Sequence, residues 1–298
     1  MATLFVDNLT VADFSYLDAK RGMVGESLIV DLVLDGDLDD QGMVFDFGHV
    51  KRDIKRLIDE DVDHRLLVPG ISPNGNIHNK NGELHLEWQY PAGTLRMTAP
   101  QSSILVLEYA HVDINSIRQY LEQRISELLP ANVKNVTLTL RSEDLGTAPF
   151  YQYSHGLKKH DGNCQRIAHG HRSAIKIYEN GRRSRYWEKL WADRWSDIYI
   201  ATREDLEGEY DIDGVTHHRY QYQASQGSFE LLLPAASCYV IDTDSTVEHL
   251  AAHMADQLAL EAPGKAFRVR AYEGVGKGAI AEAGANEPAK ISKSWLTS

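Results

Sequence analysis

The order of hydrophobic periods along the chain occurs twice. In the first pass, DFSYLD (13–18) leads into ESLIVDLVLDG (26–36), two apolar runs split by a turn, which predict a strand pair. Val50, Ile54, Leu57 and Ile58 then fall on one side of a helix over 49–60. LEWQYPAGTLRMTAPQSSILVLE (86–108) reads as strand, small-residue turn, strand, Pro-x-x-Ser and a further apolar strand. Ile114, Ile117, Leu121, Ile125 and Leu128 form a second helical stripe, and NVTLTLR (135–141) alternates with Val136, Leu138 and Leu140 on one face.

The second pass repeats the order. YQYSH (151–155) leads into HRSAIKIYENG (171–181), followed by an aromatic helix, SRYWEKLWADRW (184–195). RYQYQASQGSFELLLPAASCYVID (219–242) matches 86–108: Pro100 and Pro234 stand 134 residues apart, as do Ser103 and Ser237. A stripe of Val247, Leu250, Met254 and Leu258 and an alternating AFRVRAY (266–272) complete it. Self-similarity of this kind marks a repeated unit. It predicts two α+β units, residues 1–145 and 146–298, of antiparallel sheets with helices on one face. The boundary falls at the turn-rich DLGTAP (144–149). After about residue 275 the chain turns to Gly, Ala and Lys, which predicts a mobile tail.

At 298 residues and 43% hydrophobic the chain can build a full core. No apolar run approaches the ~20 residues of a membrane span, and MATLFVDNLT does not read as a signal peptide. Two cysteines, Cys164 and Cys238, make no disulfide framework, so a reducing cytoplasm is the expected setting. A formal net charge of −12 argues against a general nucleic-acid binder.

The chemistry gathers in the second unit. CQRIAHGH (164–171) puts His169 and His171 on one side of a strand, and His155 at the end of the paired strand can join them. Three imidazoles suit zinc with an open fourth position; the alternative is three ordinary histidines in a chain that has thirteen. Cys164 lies in a polar loop just before them, where a cation would make it a base or nucleophile; the alternative is an inert half-buried thiol. Cys238, within SCYVI, reads as core. In the first unit Asp18 stands at the place of His155, and Val24-Gly25-Glu26 at that of His169-Gly170-His171, so no equivalent metal site is expected there. That unit instead holds Asp63-His64, a carboxylate–imidazole pair suited to acid–base chemistry. The split predicts a site between units, within one chain or between chains.

At these residues the chain resembles the 6-pyruvoyltetrahydropterin synthase / 6-carboxytetrahydropterin synthase family. The motifs are GMVFDF (42–47), DHRLL (63–67), YQYSH (151–155), CQRIAHGH (164–171), STVEH (245–249) and AYEG (271–274). The chain departs from the family pattern at Arg65-Leu66-Leu67 after the Asp-His pair, at His249, and in hairpins such as 82–101 where shorter members have little. The resemblance implies two tandem tunnelling-fold (T-fold) units that join other copies in a multimeric barrel. It implies zinc on His155, His169 and His171, Cys164 as proton shuttle, Asp63 and His64 as its partner dyad, and Glu273 and Thr246 as pterin-binding residues. The implied reaction is a lyase step on 7,8-dihydroneopterin triphosphate, giving 6-carboxy-5,6,7,8-tetrahydropterin or 6-pyruvoyltetrahydropterin. Lys158, Lys159, Arg182, Arg183 and Arg185 are the cations expected for the triphosphate. The alternatives are an altered pterin or purine substrate with aldolase-like cleavage, or a non-catalytic binding protein stabilised by zinc.

Overall fold

The computed structural model of the chain describes residues 1–284, and 287–291 in backbone only. In the first unit a long hairpin, β1 (Ala2–Asp18) and β2 (Gly22–Gly36), is followed by α1 (Phe47–His49), a π-helical turn (Val50–Ile54) and α2 (Lys55–Asp61). The strands β3 (Leu66–Pro69), β4 (Gly75–Lys80), β5 (Glu83–Tyr90), β6 (Gly93–Pro100) and β7 (Ile104–Leu107) come next, then α3 (Ile114–Leu128) and β8 (Val133–Ser142). The second unit repeats this: β9 (Phe150–His155), β10 (His169–Glu179), the short β11 (Arg182–Arg183), α4 (Arg185–Arg194), β12 (Ser196–Thr202), β13 (Leu206–Ile212), β14 (Val215–Ala224), β15 (Gly227–Pro234), β16 (Cys238–Ile241), α5 (Val247–Glu261) and β17 (Phe267–Tyr272). Two more strands, β18 (Gly278–Gly284) and β19 (Glu287–Ile291), follow.

The first sheet has the order β7-β3-β1-β2-β8, and the second β16-β12-β9-β10-β17-β18-β19. The long hairpins are antiparallel as expected. The short strands are not: β3 runs parallel to both β1 and β7, and β12 parallel to both β9 and β16, so each sheet is mixed. Helices cover one face of each sheet. In the first unit Val50, Ile54, Ile58, Ile117, Leu121 and Ile125 pack on Phe14, Val30, Leu32 and Leu138. Ile114 and Leu128, at the two ends of the predicted α3 stripe, are exposed instead. In the second unit Trp191, Trp195, Leu250, Met254 and Leu258 pack on Tyr151, Ile175, Ile177 and Val269. The expected mobile tail is corrected over 278–284: those residues pair along β17 and bury Ala279, Ala281 and Ala283. The rest of that expectation, residues 285–286 and 292–298, lies outside the described residues.

The uncovered faces of the two sheets meet each other. Ser15 Oγ and Ser154 Oγ are 2.6 Å apart across the join. A Cβ on Gly25 would stand 2.0 Å from the Tyr153 carbonyl oxygen, and one on Gly170 would stand 2.8 Å from Gly25 Cα, so the approach needs glycine at both places. The extra hairpins of both units merge into a third sheet, β13-β14-β15-β6-β5-β4. Its centre is the pair Met97–Leu231, flanked by Thr98–Glu230 and Arg96–Leu232. Met97 and Leu231 are equivalent at the repeat offset of 134, so the third sheet sits on a local two-fold axis relating the units. Trp88, Leu95, Met97, Phe229 and Leu231 bury its inner face on Leu66 and Val68 of one unit and Tyr199 and Ala201 of the other.

Candidate active site

The β9–β10 register places His169 directly opposite His155, and His171 opposite Tyr153. The three imidazoles converge below the surface, with exposures of 0%, 1% and 1% for His155, His169 and His171. Their ring centroids are 4.4, 5.3 and 5.7 Å apart. Each Nδ1 faces an acceptor. His155 Nδ1 lies 3.1 Å from the Ser245 carbonyl, His169 Nδ1 2.9 Å from the Arg166 carbonyl, and His171 Nδ1 3.3 Å from the Asp13 carboxylate. A proton held on Nδ1 leaves the Nε2 lone pair for a ligand. Nε2 of His155 and both ring nitrogens of His171 are buried without a hydrogen-bond partner, the Asp13 carboxylate meeting His171 Nδ1 as a charge contact, a cost expected only where something else satisfies them. Ligand atoms of the three histidines lie within 4.8 Å of one another. Burial first, and then neighbouring histidines, hold the pKa of His155 and His169 well below the ordinary value, which keeps them in the neutral form a metal requires. The residues therefore fit zinc.

Asp63 and His64 follow α2 and belong to the other unit, yet they reach the same place. His64 adopts a left-handed φ of +57°. The turn is fixed by Asp13, whose N–H donates to Asp63 Oδ1 at 2.8 Å and whose carbonyl accepts from the His64 N–H at 2.6 Å. The second Asp63 oxygen takes a short hydrogen bond from His64 Nδ1. Burial alone would lower the His64 pKa, but the Asp63 hydrogen bond, the Cys164 hydrogen bond and the charge of both raise it to about 10. The pair and the thiol thus meet within one chain. His64 also lies against His169, ring centroids 4.9 Å apart.

The loop carrying Cys164 is held by an extra hairpin. Tyr222 of β14 donates its hydroxyl to the Gln165 carbonyl at 2.7 Å. In the β14–β15 turn the Gln226 N–H donates to Gln165 Oε1 at 2.8 Å, and Gln226 Nε2 donates to Asn163 Oδ1 at 2.9 Å. The Arg166 guanidinium then crosses to the other unit and donates to the Asp63 and His64 carbonyls, both at 3.4 Å.

A cavity of about 460 Å³ opens onto these groups, lined by Asp13, Asp63, His64 and Cys164 with Lys55 and Lys277 at its edge. Lys55 is paired with Asp59 at 2.5 Å and Lys277 with Asp13 at 3.2 Å. The cations anticipated from sequence lie elsewhere in charge pairs: Lys158 on Asp205, Lys159 on Asp244, and Arg183 and Arg185 on Glu188. Arg182 is exposed on β11. Glu273 stands at the end of β17, its N–H bonded to the Lys277 carbonyl, and its charge adds to burial in raising the Tyr151 and Tyr153 phenols. Thr246 caps α5, its hydroxyl accepting from the His249 N–H; its neighbour Ser245 is the residue that touches His155. Cys238 is half-buried, packed against the core beneath the third sheet, and burial pushes its thiol up to about 12.

The residues missed in sequence are Asp13, Ser245 and Arg166. Arg166 acts on His169 through its carbonyl oxygen, which leaves no mark in a sequence, and Ser245 meets His155 through both its carbonyl and its hydroxyl. Asp13 left little mark: it is one of several polar residues along β1, with Asp7, Ser15 and Asp18. It is 3% exposed and hydrogen-bonded by Ser27 Oγ at 2.5 Å. Burial would raise its pKa, but His171, Lys277 and Ser27 outweigh that and hold it well below the usual carboxylate range.

Strand pairing also corrects the equivalence drawn for the first unit. Ser15 pairs with Gly25 as Ser154 pairs with Gly170, so Tyr16, not Asp18, stands where His155 stands. His64 matches Asp197, which shares its left-handed φ at +54°. There Arg21 fills the gap, donating to Asp197 at 2.7 and 2.5 Å and to Gln152 at 2.7 Å. The second interface position is thus a clamp, with Tyr16, Val24 and Glu26 in place of the three histidines.

Two T-fold units about a local two-fold axis, with three convergent histidines at their join, define the class as a tandem T-fold protein. The chain belongs to the 6-pyruvoyl tetrahydropterin synthase family, whose model matches residues 18–138 and again 147–284. It is 22% identical over 138 residues to a provisionally named 6-carboxy-5,6,7,8-tetrahydropterin synthase of Pyrococcus horikoshii, covering 45% of this chain and 77% of the relative. A protein of the same description from Pyrococcus abyssi is 23% identical over 130 residues, 44% of this chain and 74% of that one. Among solved structures, 6-pyruvoyl tetrahydropterin synthase of Plasmodium vivax aligns at 20% identity with a TM-score of 0.40, covering 49% of this chain and 93% of that chain. The Plasmodium falciparum protein aligns at 20% identity with a TM-score of 0.38, covering 48% and 91%.

Proposed function

We propose that the chain is a zinc-dependent pterin synthase, a lyase that acts on 7,8-dihydroneopterin triphosphate with loss of triphosphate. The observation that carries this reading is the meeting of groups from both units: three convergent histidines, two of them with an unpartnered buried Nε2, with Cys164 from the second unit and Asp63–His64 from the first beside them. Zinc held by His155, His169 and His171 would supply Lewis acidity to the hydroxyls of the substrate side chain. Cys164 takes a proton from the side-chain carbon, and His64, held protonated, returns one to the neighbouring position. Asp63 fixes the His64 tautomer and orientation, as a carboxylate does for a catalytic imidazole. Glu273 accepts N–H groups from the amino-oxo edge of the pterin, with Thr246 supporting the ring. Lys55 and Lys277, which line the cavity, would meet the phosphates in place of the cations read from sequence.

The names given to the two Pyrococcus relatives favour the carboxy product over the pyruvoyl product. One observation favours a second reading, an altered pterin substrate with a less charged tail: both lysines at the cavity edge are already paired with carboxylates. We further propose that copies associate through open sheet edges such as β8 and β16, since unpaired edges are seldom left bare.

The test is incubation of zinc-loaded protein with 7,8-dihydroneopterin triphosphate, reading product mass and released triphosphate. The carboxy product keeps one side-chain carbon and the pyruvoyl product keeps three, so mass separates them. Turnover abolished by Cys164→Ala and by His64→Ala supports the two-unit site. Zinc-loaded protein that leaves this substrate intact but converts the unphosphorylated pterin supports the second reading. Protein that converts neither sinks the synthase assignment.

A further inference from the structure

Two ligand sets converge in the interface, and they share a residue. The inner set is His155, His169 and His171; the outer set is His64, Cys164 and His169. The outer set is built as metal ligands are built. His64 gives its Nδ1 to Asp63, and the Cys164 sulfur lies within 4.8 Å of its ligand nitrogen. His169 gives its Nδ1 to the Arg166 carbonyl. A carboxylate or carbonyl behind each imidazole fixes the tautomer that offers Nε2 to a metal. One thiolate and two imidazoles suit zinc and similar divalent transition metals. The donor atoms lie within 4.8 Å of one another, and small side-chain rotations bring them to the ~3.5 Å spacing implied by metal–ligand bonds of about 2.0–2.3 Å.

We propose that the outer set is a second metal position, alternative to the inner one, and that a metal held there switches the site off. His169 has one free nitrogen, so the two positions cannot fill together. In the outer position Cys164 binds as thiolate and His64 as neutral imidazole through Nε2, and the protons they carried pass to solvent. Both groups assigned to proton transfer then become ligands. The metal also bridges the two units, since His64 belongs to one and Cys164 and His169 to the other. The inference rests on the synthase reading only for its inhibitory consequence; the outer position itself stands on geometry.

Cobalt(II) titrated into metal-free, full-length protein separates the positions by absorption. Cobalt on imidazoles alone gives visible d–d bands, whereas cobalt on a thiolate adds a near-ultraviolet charge-transfer band. The expected result is a charge-transfer band that is lost in Cys164→Ser and in His64→Ala and kept in His155→Ala and Cys238→Ser. If His64→Ala fails to fold, as judged by circular dichroism, His64→Gln takes its place. Visible bands without a charge-transfer band overturn the outer position and leave the inner one standing. A band independent of His64 overturns the set spanning the units, and a band lost in folded His155→Ala overturns the alternation. Failure to bind cobalt overturns both sets. Where turnover is present, it should fall as the charge-transfer band rises; a parallel rise overturns the inhibitory role.

Discussion

At the residue scale, the site depends on groups that never reach the cavity as reactants. Asp13 faces His171 Nδ1, bonds Ser27, pairs with Lys277 and anchors the Asp63–His64 turn through its own backbone. Partners behind a metal-binding histidine typically matter 10- to 100-fold in affinity, so Asp13→Asn should weaken zinc binding by about that factor. Competition against a chromophoric chelator measures this; unchanged affinity with an intact fold would remove Asp13 from the metal site. The three histidines and Cys164 were legible in sequence because one hairpin brings them together, and strand alternation says which side each takes. Asp63-His64 was legible as a pair, and its split from Cys164 pointed to a site between units; that the two meet within one chain was not legible, because a separation of about a hundred residues is closed only by the packing of one unit on the other. Arg166 was illegible because its contribution to His169 is a carbonyl, which every residue carries, and Ser245 because ninety residues separate it from His155.

At the element scale, two features set the interface: the glycine crossing and the extra hairpins. Gly25→Ala would drive a methyl group into the Tyr153 carbonyl. Forced overpacking of this kind costs about 1–3 kcal/mol, and here it would also push the metal-binding hairpin away from Asp13. A lowered melting temperature together with weaker zinc binding is expected. Gly284→Ala, with nothing within 4 Å of the new methyl, should change neither, and equal effects from both variants would refute the account. The β14–β15 hairpin acts through the Cys164 loop. Tyr222→Phe removes one buried hydrogen bond to Gln165, worth about 1 kcal/mol, and should speed alkylation of Cys164 by freeing its loop. An unchanged alkylation rate would mean that Gln226 holds the loop without it. The hairpin strands themselves were readable from alternation and turns. Their joining into one sheet was not, because Met97 pairs with Leu231 through a symmetry that emerges only once both units are folded. Nor was β18, whose buried positions are all alanines and whose one β-branched residue, Ile280, lies off that buried row.

At the scale of the whole molecule, the third core decides how the chain unfolds. Two repeated units joined by a linker would be expected to melt separately, since each has a helix-covered core of its own. The third core takes Trp88 and Met97 from one unit and Phe229 and Leu231 from the other, and roofs strands of both, so neither unit can open without exposing apolar surface of its neighbour. A single calorimetric transition is therefore expected, its calorimetric and van't Hoff enthalpies equal. Zinc should raise that transition as one step, although all three inner ligands lie in the second unit. A ligand bound only by the native chain, at 100 times its dissociation constant, adds about 2.7 kcal/mol to whatever unit unfolds cooperatively. If that unit is the whole chain, adding a chelator must lower the melting of helices α2 and α3, which belong to the first unit and carry no metal ligand, as much as that of α5. Hydrogen exchange resolves the elements one by one. Equal loss of protection in both units on metal removal supports a single cooperative body, whereas loss confined to residues 150–284 would mean that the units share a surface but not a transition.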